Sequence, residues 1–347
     1  MRHIPLRLAL VLSAFLLLGA GCIRFTANSG DAGIYLSTDG GGKWEQKVFV
    51  GQGKNSAVTI GGELITAMAF VPKNPATIYI GTEGSGVYKT ENGGDQWSRF
   101  LPFNGRTYAL VVNPKNSANV LVALGERVLR TTDGGKNWEI SYIETRSKVS
   151  IEDLVVDAFD PKKVYLALSN GDLMHSVDGG SSWAILYHTD SAILRILVHP
   201  KDTRVITIMT QYHGLYRSTD LGKSWTALRS TLEKYNNALH GQALATNATN
   251  ADHLLYASAF GILETKDGGK SWNEIKLLAS PDTAPVMAFA LAPSKPDYFY
   301  YATPTTLYRS HDHGKTWTTS PLPSSKRPSV LFVHPQNEKI IYMGIKK

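Results

Sequence analysis

"TKDGGKSW" (residues 265–272) decides the fold, because variants of it occur six more times. They are "STDGGGKW" (37–44), "TENGGDQW" (90–97), "TTDGGKNW" (131–138), "SVDGGSSW" (176–183), "STDLGKSW" (218–225) and "SHDHGKTW" (310–317). All seven tryptophans of the chain lie in these boxes, at intervals of 41 to 53 residues. A period of roughly 45 residues is the length of a propeller blade built from four short strands.

One unit makes the strands legible. In 65–100, Ile65–Val71 reads as strand A, Thr77–Gly81 as B, Val87–Thr90 as C, and Trp97–Phe100 as D, which the tryptophan begins. The runs are rich in β-branched and aromatic residues and are bounded by Gly, Pro and Asn. No segment sustains a 3.6-residue period over the length a helix needs. Within each box the glycines supply the positive φ of a tight hairpin. The Asp or Asn is expected to accept hydrogen bonds from N–H groups two residues on. The tryptophan is expected to fold over its own hairpin. Such a loop is self-contained and needs no ligand.

The pattern Ser/Thr-x-Asp-x-Gly-x-x-Trp resembles the Asp-box, or BNR repeat. The chain is similar to the Asp-box propellers, particularly the sortilin-like and photosystem II stability/assembly-factor-like group. That resemblance implies that the box joins strands C and D at the outer rim, away from the functional face. The first box is preceded only by "GIYLS" (33–37), a C strand, and the last is followed by an A and a B strand in 327–345. The two halves complement each other. The expected fold is therefore all-β: a seven-bladed propeller of four-stranded antiparallel blades spanning 33–347. C-terminal strands A and B close it on N-terminal strands C and D.

The N-terminal segment needs a separate reading. "MRHIPLR" is basic, and "LALVLSAFLLLGA" is too short to cross a bilayer, which takes about 20 apolar residues. The following "GAGC" ends at Cys22, the chain's only cysteine, and resembles a bacterial lipobox. The expectation is a signal peptide over 1–21, lipidation at Cys22, a tether over 22–32 and a disulfide-free propeller. The location is then extracytoplasmic and lipid-anchored to a bacterial membrane. Ile23, in place of an aspartate, points to the outer membrane if the cell has one. Net charge is +7. Charge is not gathered in a dense Lys/Arg stripe, which with the export signal argues against nucleic acid as a partner.

Function is expected where the repeat breaks, on the D-to-A and B-to-C connections. Arg106, Arg127, Arg146, Lys148, Arg229 and Arg327 fall there, either as a basic patch or as scattered solvated charges. Arg195 and Asp157 are polar interruptions of A strands, expected either to line the central channel as an ion pair from adjacent blades or, as the favoured reading, to be structural or water-bound groups. Tyr212, Tyr235 and Phe260 offer aromatic surface for a glycan. A sialidase is disfavoured, since the Arg-Ile-Pro tripeptide that the resemblance would demand is missing. A glycosidase needs two acids about 5–9.5 Å apart. Glu152 and Asp153 are adjacent and point to opposite strand faces, while Glu83, Glu126, Glu144, Asp190 and Glu233 carry no pairing signal. His311 and His313 flank the box Asp312 and read as a turn variant, so no metal ligand and no cofactor is expected. The favoured reading is a membrane-tethered scaffold that binds a protein or peptide, such as one serving envelope-complex assembly or sorting, in preference to an enzyme. The alternative is a lectin or glycoside hydrolase acting on surface glycans.

Overall fold

The computed structural model describes residues 30–346 except Asn55, so Cys22 and the rest of 1–29 lie outside the described residues. Seven four-stranded antiparallel sheets form the blades. Blade 1 pairs Ile65–Val71, Asn74–Thr82, Val87–Thr90 and Ser98–Arg99, strands A to D in chain order. The A strands of blades 2 to 6 are Thr107–Val112, Ile151–Val156, Ile193–Val198, Gly241–Asn247 and Ala288–Ala292. Successive A strands touch, and that of blade 7 touches that of blade 1, which closes the ring around a central channel. Blade 7 pairs Arg327–His334 and Asn337–Lys346 with Ile34–Ser37 and Glu45–Gln46, so both ends of the described chain share one sheet. That closure is fastened in register from Ile34 opposite Gly344 to Ser37 opposite Ile341. Beside it, Asp31 Oδ2 accepts Ser325 N–H at 2.8 Å and Ser325 Oγ–H at 2.6 Å.

The B strands are apolar without alternation because neighbouring blades cover both faces. Val164–Leu168 and Ile206–Thr210 are buried throughout. One inter-blade core joins Tyr165 and Leu173 of blade 3 to Ile193, Ile206 and Ile208 of blade 4. Two features depart from a pure loop reading of the D-to-A connections. Phe49–Gln52 and Ala57–Thr59 pair as an extra hairpin, and Arg229–Leu232 forms a single helical turn that buries Leu232.

The boxes are more than closed hairpins. In 265–272, Thr265 Oγ1–H donates to Asp267 Oδ1 at 2.7 Å and accepts Gly269 N–H at 2.9 Å. Asp267 accepts Ser271 N–H at 3.0 Å and Ser271 Oγ–H at 2.5 Å. The carboxylate thus reaches four residues on, not two, because the loop curls around it as one turn. In every box the N–H after the Asp or Asn donates to a carbonyl at or just before the start of strand B of its own blade; Gly268 N–H to Asp252 O is one case, at 3.0 Å.

The tryptophans also reach outward. Trp97, Trp183, Trp272 and Trp317 donate their indole N–H to Lys47 O, Ser141 Oγ, Thr231 Oγ1 and Lys276 O, all within or just after strand D of the preceding blade. Trp138 and Trp225 instead donate to Gly135 O and Gly222 O of their own boxes. The second box glycine presses on the preceding blade too. A Cβ on Gly269, at φ +94°, would lie 2.4 Å from Leu228 Cδ1. The equivalent Gly41, Gly135, Gly180, Gly222 and Gly314 would meet Leu307, Phe100, Leu121, Leu186 and Ile275 at 2.3–2.7 Å.

Gly269→Ala is therefore expected to cost roughly 2–4 kcal/mol, from backbone strain and overpacking together. Gly62→Ala, where a Cβ meets nothing within 4 Å, is expected to be near neutral. Urea unfolding of both variants checks this. Acid titration gives a second test. Hydrogen bonds from the residue four positions on, the largest cause in each case, hold the Asp133, Asp220 and Asp312 carboxylates down at about 2. Their unfolded value lies near 3.8, so their stabilisation is complete above about pH 4 and is lost as pH falls through about 2. The fall in melting temperature over that window should shrink in a triple Asp→Asn variant at 133, 220 and 312. Asn92 already makes the equivalent bonds in blade 1, to Thr90 Oγ1 and Gln96 N.

Candidate functional site

Each A strand starts, and each B strand ends, on the face opposite the boxes. On that face the channel opens into a cavity of about 280 Å³, lined among others by Thr66, Glu83, Arg106, Glu152, Arg195, Gln242 and Lys346. Three cations, Arg106, Arg195 and Lys346, line it, and Arg327 stands beside Lys346. Arg327 and Lys346 are paired directly across strands A and B of blade 7, an arrangement that is unfavourable for like charges. Partial desolvation, and then the charges of Arg327, Arg195 and Arg106, push the Lys346 ammonium below its ordinary value. Neither Arg327 nor Lys346 has an ion-pair partner among the described residues.

The acids at this mouth are already engaged. Arg106 Nη1 meets Glu83 Oε1 at 3.2 Å, and its guanidinium lies 4.8 Å over the Tyr108 ring. Glu152 Oε1 accepts Ser150 Oγ–H at 2.5 Å. Arg195 Nη1 lies 3.7 Å from Asp153 Oδ1, across the blade 3–blade 4 boundary. Asp153 is buried and accepts Ile196 N–H at 2.8 Å; burial raises its carboxyl, against the opposing Arg195 charge. Asp157 is not the partner of Arg195. It is buried past the end of its A strand and caps the turn by accepting Phe159 N–H and Asp160 N–H.

Of the residues singled out in the sequence, the fold brings together Arg106, Arg195 and Arg327. The others lie apart from the cavity. Arg127 is exposed at the start of a C strand. Lys148 sits at φ +65°, and Arg229 pairs with Glu233 on the helical turn. Arg146 is consumed by a closed network. It donates twice to Glu144 and once to Asp172, at 2.6–2.9 Å, and Asp172 also faces His188 Nδ1 at 2.7 Å. The Arg146 hydrogen bond, the largest cause, holds Glu144 down at about 2. Tyr212 is exposed with its ring edge-on to His240. Tyr235 and Phe260 pack edge to face at 5.2 Å, and the Tyr235 hydroxyl donates to Trp272 O. Lys346 was missed in the sequence because its significance lies in standing opposite Arg327, a register that only the closure sets.

Two other places hold chemistry. An apolar cavity of about 490 Å³ opens at the opposite end of the channel, among Leu197, Leu244, Phe289 and Leu331. On the box side, between blades 5 and 6, Glu264 Oε1 lies 2.6 Å from both His253 Nε2 and His313 Nε2. The three ligand atoms lie within 4.8 Å of one another, a spacing that can hold a metal ion.

Comparison with known proteins agrees with the fold. Residues 101–242 match the family described as photosynthesis system II assembly factor YCF48, and residues 307–320 match the BNR-Asp box repeat. A Paenibacillus xyloglucanase is 23% identical over 331 residues, covering 76% of this chain and 32% of that protein. The photosystem II assembly lipoprotein Ycf48 of a Synechococcus strain is 27% identical over 119 residues, covering 32% of this chain and 33% of that protein. The matches thus span about a third of the length of each of these relatives. Among solved structures, a Xanthomonas campestris GH74 xyloglucanase superposes with a TM-score of 0.67 at 19% identity, covering 87% of this chain and 52% of that one. YCF48 bound to D1 peptide superposes with a TM-score of 0.62 at 16% identity, covering 82% and 94%. The chain is a seven-bladed propeller with Asp-box-like hairpins, similar both to a photosystem II assembly factor and to xyloglucanases.

Removing Arg146 strands two buried carboxylates, so Arg146→Ala is expected to destabilise by about 1–3 kcal/mol, below the usual cost for a fully buried pair because the guanidinium is half exposed. Arg327→Ala, which relieves repulsion, is expected to be neutral or stabilising. Thermal melts of the two variants distinguish the closed network from the open one.

Proposed function

We propose that this Asp-box propeller is a binding scaffold that takes an acidic segment of a protein or peptide across the basic mouth of its channel. The observation that carries the reading is the uncompensated pairing of Arg327 with Lys346, with Arg195 and Arg106 adding charge at the same cavity. Like charges set opposite each other cost stability, and an anionic ligand turns that cost into affinity. Similarity to an assembly factor whose solved structure holds a peptide supports it. The residues around Cys22 support an extracytoplasmic, lipid-tethered location, with a role in assembling or sorting an envelope complex. Cys22→Ala tests that part separately, through precursor processing and membrane retention.

A carbohydrate-active role is the second reading. It draws on the xyloglucanase similarity and on Glu83 and Glu152 lining one cavity.

A fluorescent acidic peptide should bind with an affinity that falls as salt rises, and at least about tenfold more weakly to Arg195→Ala/Arg327→Ala. A charge-neutral peptide should not bind. Binding unchanged by the double substitution would sink the assignment. Release of reducing ends from xyloglucan, lost in Glu83→Gln or Glu152→Gln, would replace it with the hydrolase reading.

A further inference from the structure

The junction between blades 5 and 6 breaks the repeat in a way that the fold does not require. In strand C, the residue before the box Ser or Thr is Lys89, Arg130, His175, Arg217 and Arg309 in five blades, and Leu36 in blade 7. Two of these cations reach the next blade. Arg217 Nη2 donates to Asp252 Oδ1 at 2.6 Å, and Arg309 Nη1 donates to Gly40 O at 2.8 Å. Blade 5 alone carries an acid there, Glu264, with its side chain only 6% exposed. The facing box differs as well. The position after the box Asp is glycine in five boxes and leucine in one, but His313 in blade 6, held at φ +64°. A β-carbon at that φ is uncommon. His253, buried at the start of strand B of blade 5, supplies a second imidazole.

We propose that His253 Nε2, Glu264 Oε1 and His313 Nε2 bind a first-row divalent transition metal, Zn²⁺ above all, as a clamp between blades 5 and 6. Two imidazoles and one carboxylate form a zinc-competent donor set that leaves a fourth position for water. The nitrogen and sulfur-free oxygen donors suit Zn²⁺, Co²⁺ or Ni²⁺ better than Ca²⁺. Asp297 Oδ1 stands 3.0 Å from His313 Nδ1, where a metal-bound histidine keeps an outer carboxylate that fixes its ring. Metal–ligand bonds of about 2.0–2.1 Å set tetrahedral donors about 3.3 Å apart, so the two 2.6 Å contacts open by roughly 0.7 Å on loading. Metal binding needs both Nε2 atoms free of hydrogen. His313 then carries its hydrogen on Nδ1, toward Asp297. His253 carries its hydrogen on Nδ1, so the 3.3 Å contact with the Asn247 amide must open. Lys266 Nζ, 3.6 Å from Glu264 Oε2, stays on the non-ligating oxygen.

The test uses untagged protein treated with chelator and then given Zn²⁺ or Co²⁺ alone. Zn²⁺ is expected to raise the melting temperature by several degrees, and Co²⁺ to give a visible absorption band at one equivalent. His313→Gly restores the residue found in five other boxes, so it should fold at least as well as the parent while losing the band and weakening Zn²⁺ binding at least 100-fold. Asp297→Asn should weaken binding about tenfold and keep the band. A folded parent with neither the band nor the shift, or a His313→Gly variant that binds like the parent, overturns the proposal and leaves the cluster as an ion-paired network.

Discussion

At six of the seven blade boundaries there is a point where a β-carbon does not fit. The second glycine of a box lies against a side chain of the preceding blade, at a φ that only glycine adopts freely. This contact ties each hairpin to its neighbour, and the ring inherits its regularity from it. A self-contained turn would tolerate drift between blades. A turn wedged against Leu228 or Phe100 does not, and the indole N–H groups that cross the same boundary add direction to the wedge.

With one face given over to fastening, the other is released from it. The starts of the A strands carry few of the repeat's obligations, so polar residues are tolerated there. Arg195 illustrates this. Its backbone continues the inner strand while its side chain turns into the cavity beside a buried acid from the preceding blade. The mouth therefore concentrates charge on a frame whose rigidity comes from elsewhere, which is the division of labour expected when loops and strand ends serve a scaffold.

Blade number, strand order and closure were legible from the boxes, because a repeated loop with strict geometric demands writes itself repeatedly into the chain. Cross-blade relations were not. The Trp97 indole finds its acceptor at Lys47, and Asp153, not Asp157, approaches Arg195. Both depend on which residues abut after the ring closes. The same limit hid Glu264, although stacking the seven boxes against one another marks it as the single acid at its position. His313 was visible as an oddity within its own box. Its partners stand on another blade, so a reading confined to that box saw only a turn. Arg106, Arg195 and Arg327 were visible as charges, but not as neighbours.

The Asp31–Ser325 fastening has a geometric consequence for the upstream segment. It pins the chain just before strand C of blade 7, at the end of the sheet where Lys346 and Arg327 also sit. The first described residues, up to Asp31, therefore lie at the rim of the basic face and not on the box side. For a chain held at Cys22, the span to Asp31 is at most about 30 Å when fully extended. Under the anchoring proposed at Cys22, such a leash would keep the mouth within a few nanometres of the bilayer, in reach of segments that protrude from a membrane-embedded neighbour.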